Sequence, residues 1–503
     1  MDKKKRETKT ATKPIASLEK TGGERTSGSA VPIALFLLSL LLFSSIIILR
    51  PLVFVYDEST YATMANELNA NPGQIVPTIT GEKVEWKPPL FFWVSSAFLS
   101  VLKPIANSLA LPVETPFRLP SALFGALSVW LVFLVSERMY GRRTAIAAAL
   151  MFMTVPLVML MSSLMMLDMF AVMLSLAAIY TYVSGRVTTG SVLLGAVVLT
   201  KWLYVIVPAI FVLMYFLHPR RRSEASRIAL SFVSIPLAIL LYLALAFVFG
   251  NFGNALTMLF LDITRPMPTF SLVSILVTAL TLFIPLFPVI FLALMLLIFS
   301  KRIETEEWPL LACGALLFIM PVFKGFIFWY ALITVPALVI LVAKRIMEEQ
   351  GNLPYILLCC VLLLQVVGAY GPLTQSHFAN PDMTQVAGFM KNKEVAFAER
   401  DDLSWLWWTI NKEYLGTNRS YLLLEQNNPG FLFYRFNDSE DYWNVHPVFL
   451  ALNETIDCSS PYLVVHSSQL IGPALSENEV AAMVPACYQQ IDQTENFRIY
   501  ERR

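Results

Sequence analysis

Residues 31–58 read VPIALFLLSLLLFSSIIILRPLVFVYDE, an uncharged apolar run followed by a short stretch that ends in two carboxylates. The apolar part, Val31–Leu49, has about the 20 residues that a helix needs to cross hydrocarbon. Similar runs recur along the 503-residue chain, of which 56% is hydrophobic and only 15% is charged. The sequence therefore predicts a mainly α-helical, polytopic membrane protein whose transmembrane helices form a bundle.

Eleven apolar segments are predicted to span the membrane, and the count extends to thirteen if broken helices are present. They are residues 31–49, 118–136, 143–161, 164–184, 188–200, 202–217, 228–249, 270–299, 308–322, 325–343 and 353–371. Cytoplasmic loops are enriched in lysine and arginine. The basic loops that contain Arg138, Arg186, Arg221, Lys301 and Lys344 all fall on the side of the N-terminal tail. This pattern predicts a multi-pass plasma-membrane protein with a cytoplasmic N terminus and an extracytoplasmic C terminus.

The spans divide the chain into three predicted regions. Residues 1–28 form a disordered cytoplasmic tail, residues 29–372 form the transmembrane domain with a first outer loop at 51–117, and residues 373–503 form a soluble extracytoplasmic domain. Strand-like patterns at Tyr462–His466 and Phe497–Glu501, with a helix-like pattern at Asp402–Glu413, predict a small α/β domain there. Cys458 and Cys487 lie in this domain, either as an exterior disulfide or as two thiols.

The overall charge excludes one class of partner. The chain has 37 basic and 36 acidic residues and a net charge of +1. No basic excess is present to neutralise phosphates along a nucleic acid. We therefore expect a membrane partner and no nucleic-acid partner.

Three carboxylates are candidates for catalysis. Asp57 and Glu58 follow the first span and precede a short amphipathic helix, so that Asp57 is either a helix cap or a catalytic group. Asp168 stands within an otherwise apolar span, where a charged side chain costs a few kcal/mol and usually marks a partner, a pathway or a site.

Five cations are predicted at the exterior ends of spans, against the positive-inside rule: Lys87, Arg118, Lys201, Arg265 and Lys324. Each either snorkels at the interface or compensates a phosphate. Carboxylates together with such cations fit glycosyl transfer from a lipid-linked sugar. An alternative function is a transporter or flippase, in which Asp168 and Lys201 form a charge pathway; no internal repeat of the kind common in transporters is evident.

Residues 31–345 resemble the multi-spanning glycosyltransferases of the GT-C fold, particularly the protein O-mannosyltransferase and aminoarabinose-transferase superfamily. The motifs that carry the resemblance are Asp57-Glu58 followed by Tyr61-Ala62, Lys87-Pro88-Pro89-Leu90, Phe117-Arg118-Leu119-Pro120-Ser121, Arg142-Arg143, Asp168, Leu199-Thr200-Lys201, and a loosened Lys-x-x-x-Tyr-x-x-Pro region from Lys324 to Pro336 that contains Tyr330. The Trp-Trp-Asp-Tyr-Gly motif of the related oligosaccharyltransferase catalytic subunit is absent from the sequence.

The resemblance implies inverting transfer of one sugar from a dolichyl- or undecaprenyl-phosphate donor at the outer membrane face. The acceptor stays open among a protein, a lipid and a lipid-linked glycan. The implied catalytic set is Asp57 as the principal carboxylate, with Glu58 beside it and Asp168 as a second carboxylate near a sugar. The implied carrier-phosphate set is Lys87, Lys324, Arg265, Arg118 and Tyr330.

The resemblance leaves the metal question open. Some relatives have a glutamate directly before the Lys-Pro pair as part of a metal site, but Trp86 stands there in this chain and Glu85 is displaced by one position. Glu85 is thus a weak ligand candidate for a divalent metal, and no other cofactor is predicted.

Overall fold

The computed structural model describes most of the helical region and parts of the C-terminal region. The described residues are 30–49, 57–79, 82–83, 87–112, 114–217, 231–250, 303–324, 328–374, 395–399, 432–436, 461–466, 484–494 and 497–503, with a few single positions. The predicted tail at 1–28, the span at 270–299 and the helix-like segment at 402–413 lie outside them.

The described part is dominated by helices, as the sequence predicted. They are α1 (Ala30–Leu49), α2 (Asp57–Ala70), α3 (Leu90–Ser108), α4 (Thr115–Tyr140), α5 (Arg142–Thr154), α6 (Pro156–Ser163), α7 (Leu167–Val183), α8 (Val187–Lys201), α9 (Ile206–Leu217), α10 (Ser234–Phe249), α11 (Trp308–Lys324), α12 (Val335–Met347) and α13 (Leu353–Thr374). Short 3-10 segments lie at Trp202–Val205, Thr305–Glu307 and Phe328–Thr334. Ten of the eleven predicted spans coincide with these helices.

Five helical stretches of the described residues are long and apolar enough to cross a membrane. They are Ala30–Leu49, Leu90–Ser108, Thr115–Tyr140, Val187–Phe216 and Tyr330–Met347. A sixth arises if α5 and α6, which are bent by 62° at Val155, count as one broken span. Pro156 explains the position of the bend. It has no backbone N–H to continue the hydrogen-bond pattern of α5, but it is well suited to the first position of α6.

The stretch from Val187 to Phe216 turns back on itself. Gly190 lies against the Tyr182 ring so closely that a Cβ there would be 2.7 Å from it. The ring of Phe216 contacts the same tyrosine at 6.3 Å between centroids. A continuous helix would separate positions 190 and 216 by about 39 Å at 1.5 Å per residue. Helices α8 and α9 are therefore two short antiparallel helices, as predicted, and the turn between them holds Lys201.

Helix α3, which is long and apolar enough to cross a membrane, packs against α2 and the start of α4. Near its start, Phe91 packs on Tyr61 of α2 at 6.3 Å between ring centroids. Farther along, Lys103 donates to Asn66 of the same helix α2. Lys103 also lies over the Phe117 ring in the first turn of α4. Both halves of α3, a helix within the predicted first outer loop, therefore lie beside α2, and its second half also contacts the start of α4.

An ion-pair cluster lies at the other end of α4. Lys344 and Arg345, in the last turn of α12, both donate to Glu307, whose side chain is fully buried. Lys344 also lies over the ring of Tyr140, the last residue of α4. The Lys344 ammonium donates to Glu304 and lowers the pKa of that exposed carboxyl. A carboxyl with a lowered pKa stabilises the fold above its unfolded-state pKa, and this contribution is lost as the pH falls.

Replacing Glu307 by glutamine is expected to destabilise the protein by about 3–5 kcal/mol, because Lys344 and Arg345 lose a buried countercharge. The thermal midpoint in detergent measures this loss. Glu306→Gln is the matched control, since Glu306 is the preceding residue and is exposed. Equal midpoints for the two variants would contradict a stabilising role for the cluster.

Two short strands after α2, β1 (Thr78–Ile79) and β2 (Glu82–Lys83), form an antiparallel pair. The C-terminal strands form a separate, mixed sheet. Its strands β3 (Val395–Glu399), β4 (Leu432–Phe436), β5 (Tyr462–His466), β6 (Tyr488–Gln493) and β7 (Phe497–Arg502) lie in the order β4-β3-β5-β7-β6. Only the β3–β5 pair is parallel among these neighbours. The two predicted strands are confirmed as β5 and β7. Cys458 and Cys487 form a disulfide, which settles the alternative that the sequence left open.

Candidate active site

Asp168 is the second residue of α7, and its side chain is 1% exposed. Lys201 donates to its Oδ1 atom at 2.7 Å. The Tyr204 hydroxyl donates to the same oxygen. The other oxygen, Oδ2, is buried and has no hydrogen-bond partner among the described residues. A buried acceptor left unsatisfied costs about 1–3 kcal/mol, more if charged, so Oδ2 is suited to accept a ligand hydroxyl.

Lys201 is held by aromatic rings as well as by Asp168. Its Nζ atom lies 4.8 Å from the centroid of the Tyr204 ring and 4.3 Å from that of Tyr330. The turn between α8 and α9 supplies Lys201 and Tyr204, and the 3-10 segment Phe328–Thr334 supplies Tyr330. Cation–π contacts of this kind are attractive. Tyr330, which was predicted to contact the carrier phosphate, therefore contacts Lys201.

A second buried ion pair joins Glu58 of α2 to Arg118 of α4. Arg118 Nε donates to Glu58 Oε1 at 2.6 Å and Nη2 donates to Oε2 at 2.7 Å. The backbone N–H of Met165 donates to Glu58 Oε1 at 2.7 Å. Both charged side chains are at most 2% exposed. The carboxylate thus faces donors from two distant parts of the chain.

The segment between α6 and α7 links the two ion pairs. Leu164 and Met166 have extended backbone, with φ of −113° and −114°. Met165 contacts Glu58, and Asp168 follows three residues later. Three residues span at most about 11 Å. Asp57 begins α2 directly before Glu58, although its side chain lies outside the described part. The fold therefore brings the backbones of all three predicted carboxylates to the same end of the bundle.

A groove beside this end holds Lys87. It is an open groove lined by Ile75, Val76, Pro77, Lys87, Pro89, Tyr242, Leu245 and Ala246. The loop wall is fixed by the Trp93 indole N–H, which donates to the Ile75 carbonyl at 2.7 Å. The opposite wall is α10. Trp202, next to Lys201 in sequence, packs edge-on against Tyr242 at 5.7 Å between centroids, so the groove adjoins the Asp168 cluster.

A larger cavity lies between α4, α7, α9, α11 and α12. Its lining is apolar except for Ser175 and Cys313. Such a lining offers few groups to a phosphate or a sugar, so we assign the candidate site to the Asp168 cluster and the Lys87 groove.

The remaining predicted site residues are not placed. Arg265, Glu85 and the side chain of Lys324 lie outside the described residues. Within the described part, no group of three or more His, Cys, Asp or Glu side chains is arranged to hold a metal ion. Sequence reasoning missed Tyr204 and Tyr242. Tyr204 follows Lys201 by three positions, but a tyrosine in an apolar run gives no signal of its own.

Comparisons with known proteins agree with this architecture. The family model for dolichyl-phosphate-mannose-protein mannosyltransferases matches residues 86–241. The crystal structure of ArnT from Cupriavidus metallidurans bound to undecaprenyl phosphate has a TM-score of 0.61 at 13% identity, over 94% of this chain and 98% of that one. Apo ArnT from the same organism gives 0.62 at 14% identity, with the same coverage of 94% and 98%.

A more distant structure is the oligosaccharyltransferase of Archaeoglobus fulgidus in complex with zinc and sulfate. Its TM-score is 0.49 at 15% identity, over 71% of this chain and 55% of that one. A search of curated protein sequences found no match. At 13–14% identity, the likeness to ArnT shows that the chain shares the ArnT fold. Residues 86–241, which include the segment around Asp168 and Lys201, are similar to the dolichyl-phosphate-mannose-protein mannosyltransferases.

Proposed function

We propose that this protein is a glycosyltransferase that moves one sugar from a polyprenyl monophosphate to an acceptor at the outer membrane face, with inversion at the anomeric carbon. The acceptor class is a protein, a lipid or a lipid-linked glycan. The observation that carries the proposal is the contact of Trp202, which follows Lys201 of the Asp168 cluster, with Tyr242 in the wall of the Lys87 groove. A lipid phosphate and a sugar would each meet a suited partner there.

The groove suits a lipid phosphate on two grounds. Its walls are apolar except for Lys87 and Tyr242, which fits a prenyl chain with one anionic group at its end. Helix α10 also exposes an apolar face, which includes Leu237, Leu240 and Leu241. A prenyl chain that leaves the groove would therefore continue along a surface compatible with hydrocarbon. The ArnT structure that contains undecaprenyl phosphate supports this class of carrier.

Residues at this end of the bundle can carry out each step of the proposed reaction. Asp57 accepts the proton of an acceptor hydroxyl as the acceptor oxygen attacks the anomeric carbon. The bond from that carbon to the phosphate oxygen breaks, and Lys87 compensates the charge on the leaving polyprenyl phosphate. Attack opposite the leaving group inverts the configuration. Asp168 Oδ2 accepts a hydrogen bond from a sugar hydroxyl and orients the ring.

Lys87→Ala is expected to raise the KM for the polyprenyl-phosphate sugar about tenfold to a hundredfold, because a charge-assisted hydrogen bond contributes about 1.5–3 kcal/mol. The measurement is initial rate against donor concentration in proteoliposomes. Lys83→Ala is the matched control, since Lys83 is an exposed lysine of the same loop. An unchanged donor KM in Lys87→Ala would place that lysine at the interface without a role in carrier binding.

A further inference from the structure

Glu58 and Arg118 are both predicted above to touch substrate, the first as a catalytic carboxylate and the second as a phosphate ligand. The contacts that these two side chains make in the structure fit neither role. Two guanidinium nitrogens of Arg118 donate to the two oxygens of Glu58. The Met165 N–H donates to one of the same oxygens. A general base must reach the proton that it accepts, whereas both oxygens of the buried Glu58 side chain already accept hydrogen bonds from Arg118 and Met165.

The pair connects the elements that carry the other two carboxylates. Glu58 directly follows Asp57 in the first turn of α2. Met165 lies in the extended segment that leads to Asp168. Arg118 lies in the first turn of α4. Movement of Glu58 away from Arg118 or Met165 would therefore change the separation between Asp57 and Asp168.

We infer that Glu58 and Arg118 are positioning residues that hold Asp57 at a set distance from Asp168, and that neither contacts the substrate. This inference rests on the proposed function. Buried ion pairs are known to select one arrangement of packed elements in some proteins, even where they add little stability. Here the pair fixes a short helix of the outer loop to the start of α4 and to the segment before α7. Displacement of a reacting group by about 1 Å lowers rates by up to ~100-fold.

The first test is the kinetics of Glu58→Gln and Arg118→Lys in proteoliposomes. We expect kcat to fall by about tenfold to a hundredfold in each variant, with the donor KM within about twofold of the wild type. The acidic limb of the pH–rate profile is expected to persist in Glu58→Gln, because it belongs to Asp57. Glu137→Gln and Arg138→Lys are matched controls, since both residues are exposed on the same helix α4.

Three kinetic results would overturn the inference. Loss of the acidic limb in Glu58→Gln would make Glu58 the base. A raised donor KM with unchanged kcat in Arg118→Lys would make Arg118 a phosphate ligand. Unchanged kcat in both variants would remove the positioning role.

A second measurement is independent of catalysis. Hydrogen–deuterium exchange of α2 is expected to increase in Glu58→Gln and Arg118→Lys, and not in the two controls. If the wild type transfers no sugar from any polyprenyl phosphate, the proposed function is wrong. Increased exchange in the two variants would still show that the Glu58–Arg118 pair fixes α2. Unchanged exchange in α2 would show that the Glu58–Arg118 ion pair does not hold α2 in place. This conclusion would hold even for a variant that is unfolded in another region.

Discussion

Asp57→Asn is expected to lower the turnover of sugar transfer by about 10²–10⁴-fold, because a positioned general base contributes a factor of that size. Asparagine keeps the shape of the side chain and removes its ability to accept the acceptor proton. The donor KM should change little, since the proposed carrier contact is Lys87. Initial rates with a labelled polyprenyl-phosphate sugar, at matched protein levels, measure the effect.

The alternative role of Asp57 as a helix cap makes a different prediction. Asparagine and serine cap helices about as well as aspartate does. A cap alone would therefore leave activity and thermal midpoint near the wild-type values in both Asp57→Asn and Asp57→Ser. Catalysis predicts that both variants fold normally and that both lose turnover. Retained transfer in either variant would remove Asp57 from the catalytic step.

Asp168→Asn is expected to have the second largest effect, a loss of turnover of about 100-fold with a loss of stability of about 3–5 kcal/mol. Lys201 is only 11% exposed, so removal of the carboxylate charge leaves a buried ammonium without its countercharge. The turnover falls because Oδ2 no longer accepts from the sugar as a carboxylate. Thermal midpoint and donor kinetics are measured on the same preparation.

The double variant Asp168→Asn/Lys201→Met separates the two effects. Removal of the unpaired ammonium is expected to recover part of the lost stability, because buried ion pairs replaced by apolar groups are often neutral in stability. Activity should stay low. Recovery of both stability and activity would show that Asp168 serves only to neutralise Lys201.

Several features of the fold were predictable because they depend on local composition. Apolar runs located the helices, and Lys201 between two short runs located the turn between α8 and α9. Strand-like alternation located β5 and β7. These signals are local, since each depends on residues close together in sequence.

Other features depend on contacts between distant segments and have no local signal. Helix α3 is apolar enough to span a membrane, and its contact with α2 joins Lys103 to Asn66, 37 positions away in sequence. The Glu58–Arg118 pair joins residues 60 positions apart. The unpartnered oxygen of Asp168 depends on how Lys201 and Tyr204 both approach Oδ1. A charged residue in an apolar run indicates that a site is present, but it does not show which side-chain atom can bind a ligand.

The transporter alternative is distinguished from catalysis by the fate of the donor. The Asp168–Lys201 pair lies at one end of the bundle, and the larger cavity within the bundle is lined mainly by apolar residues. This arrangement disfavours a polar path through the described residues. A transporter would move a lipid-linked sugar across the bilayer and leave its phosphate linkage intact.

The most direct test is to incubate the purified protein in liposomes with a doubly labelled polyprenyl-phosphate sugar, one label on the sugar and one on the carrier, and with candidate acceptors. We expect the labels to separate, with free polyprenyl phosphate formed in step with labelled acceptor, and we expect Asp57→Asn to prevent the separation. If both labels remain on one molecule while that molecule crosses the bilayer, the proposed sugar transfer is contradicted.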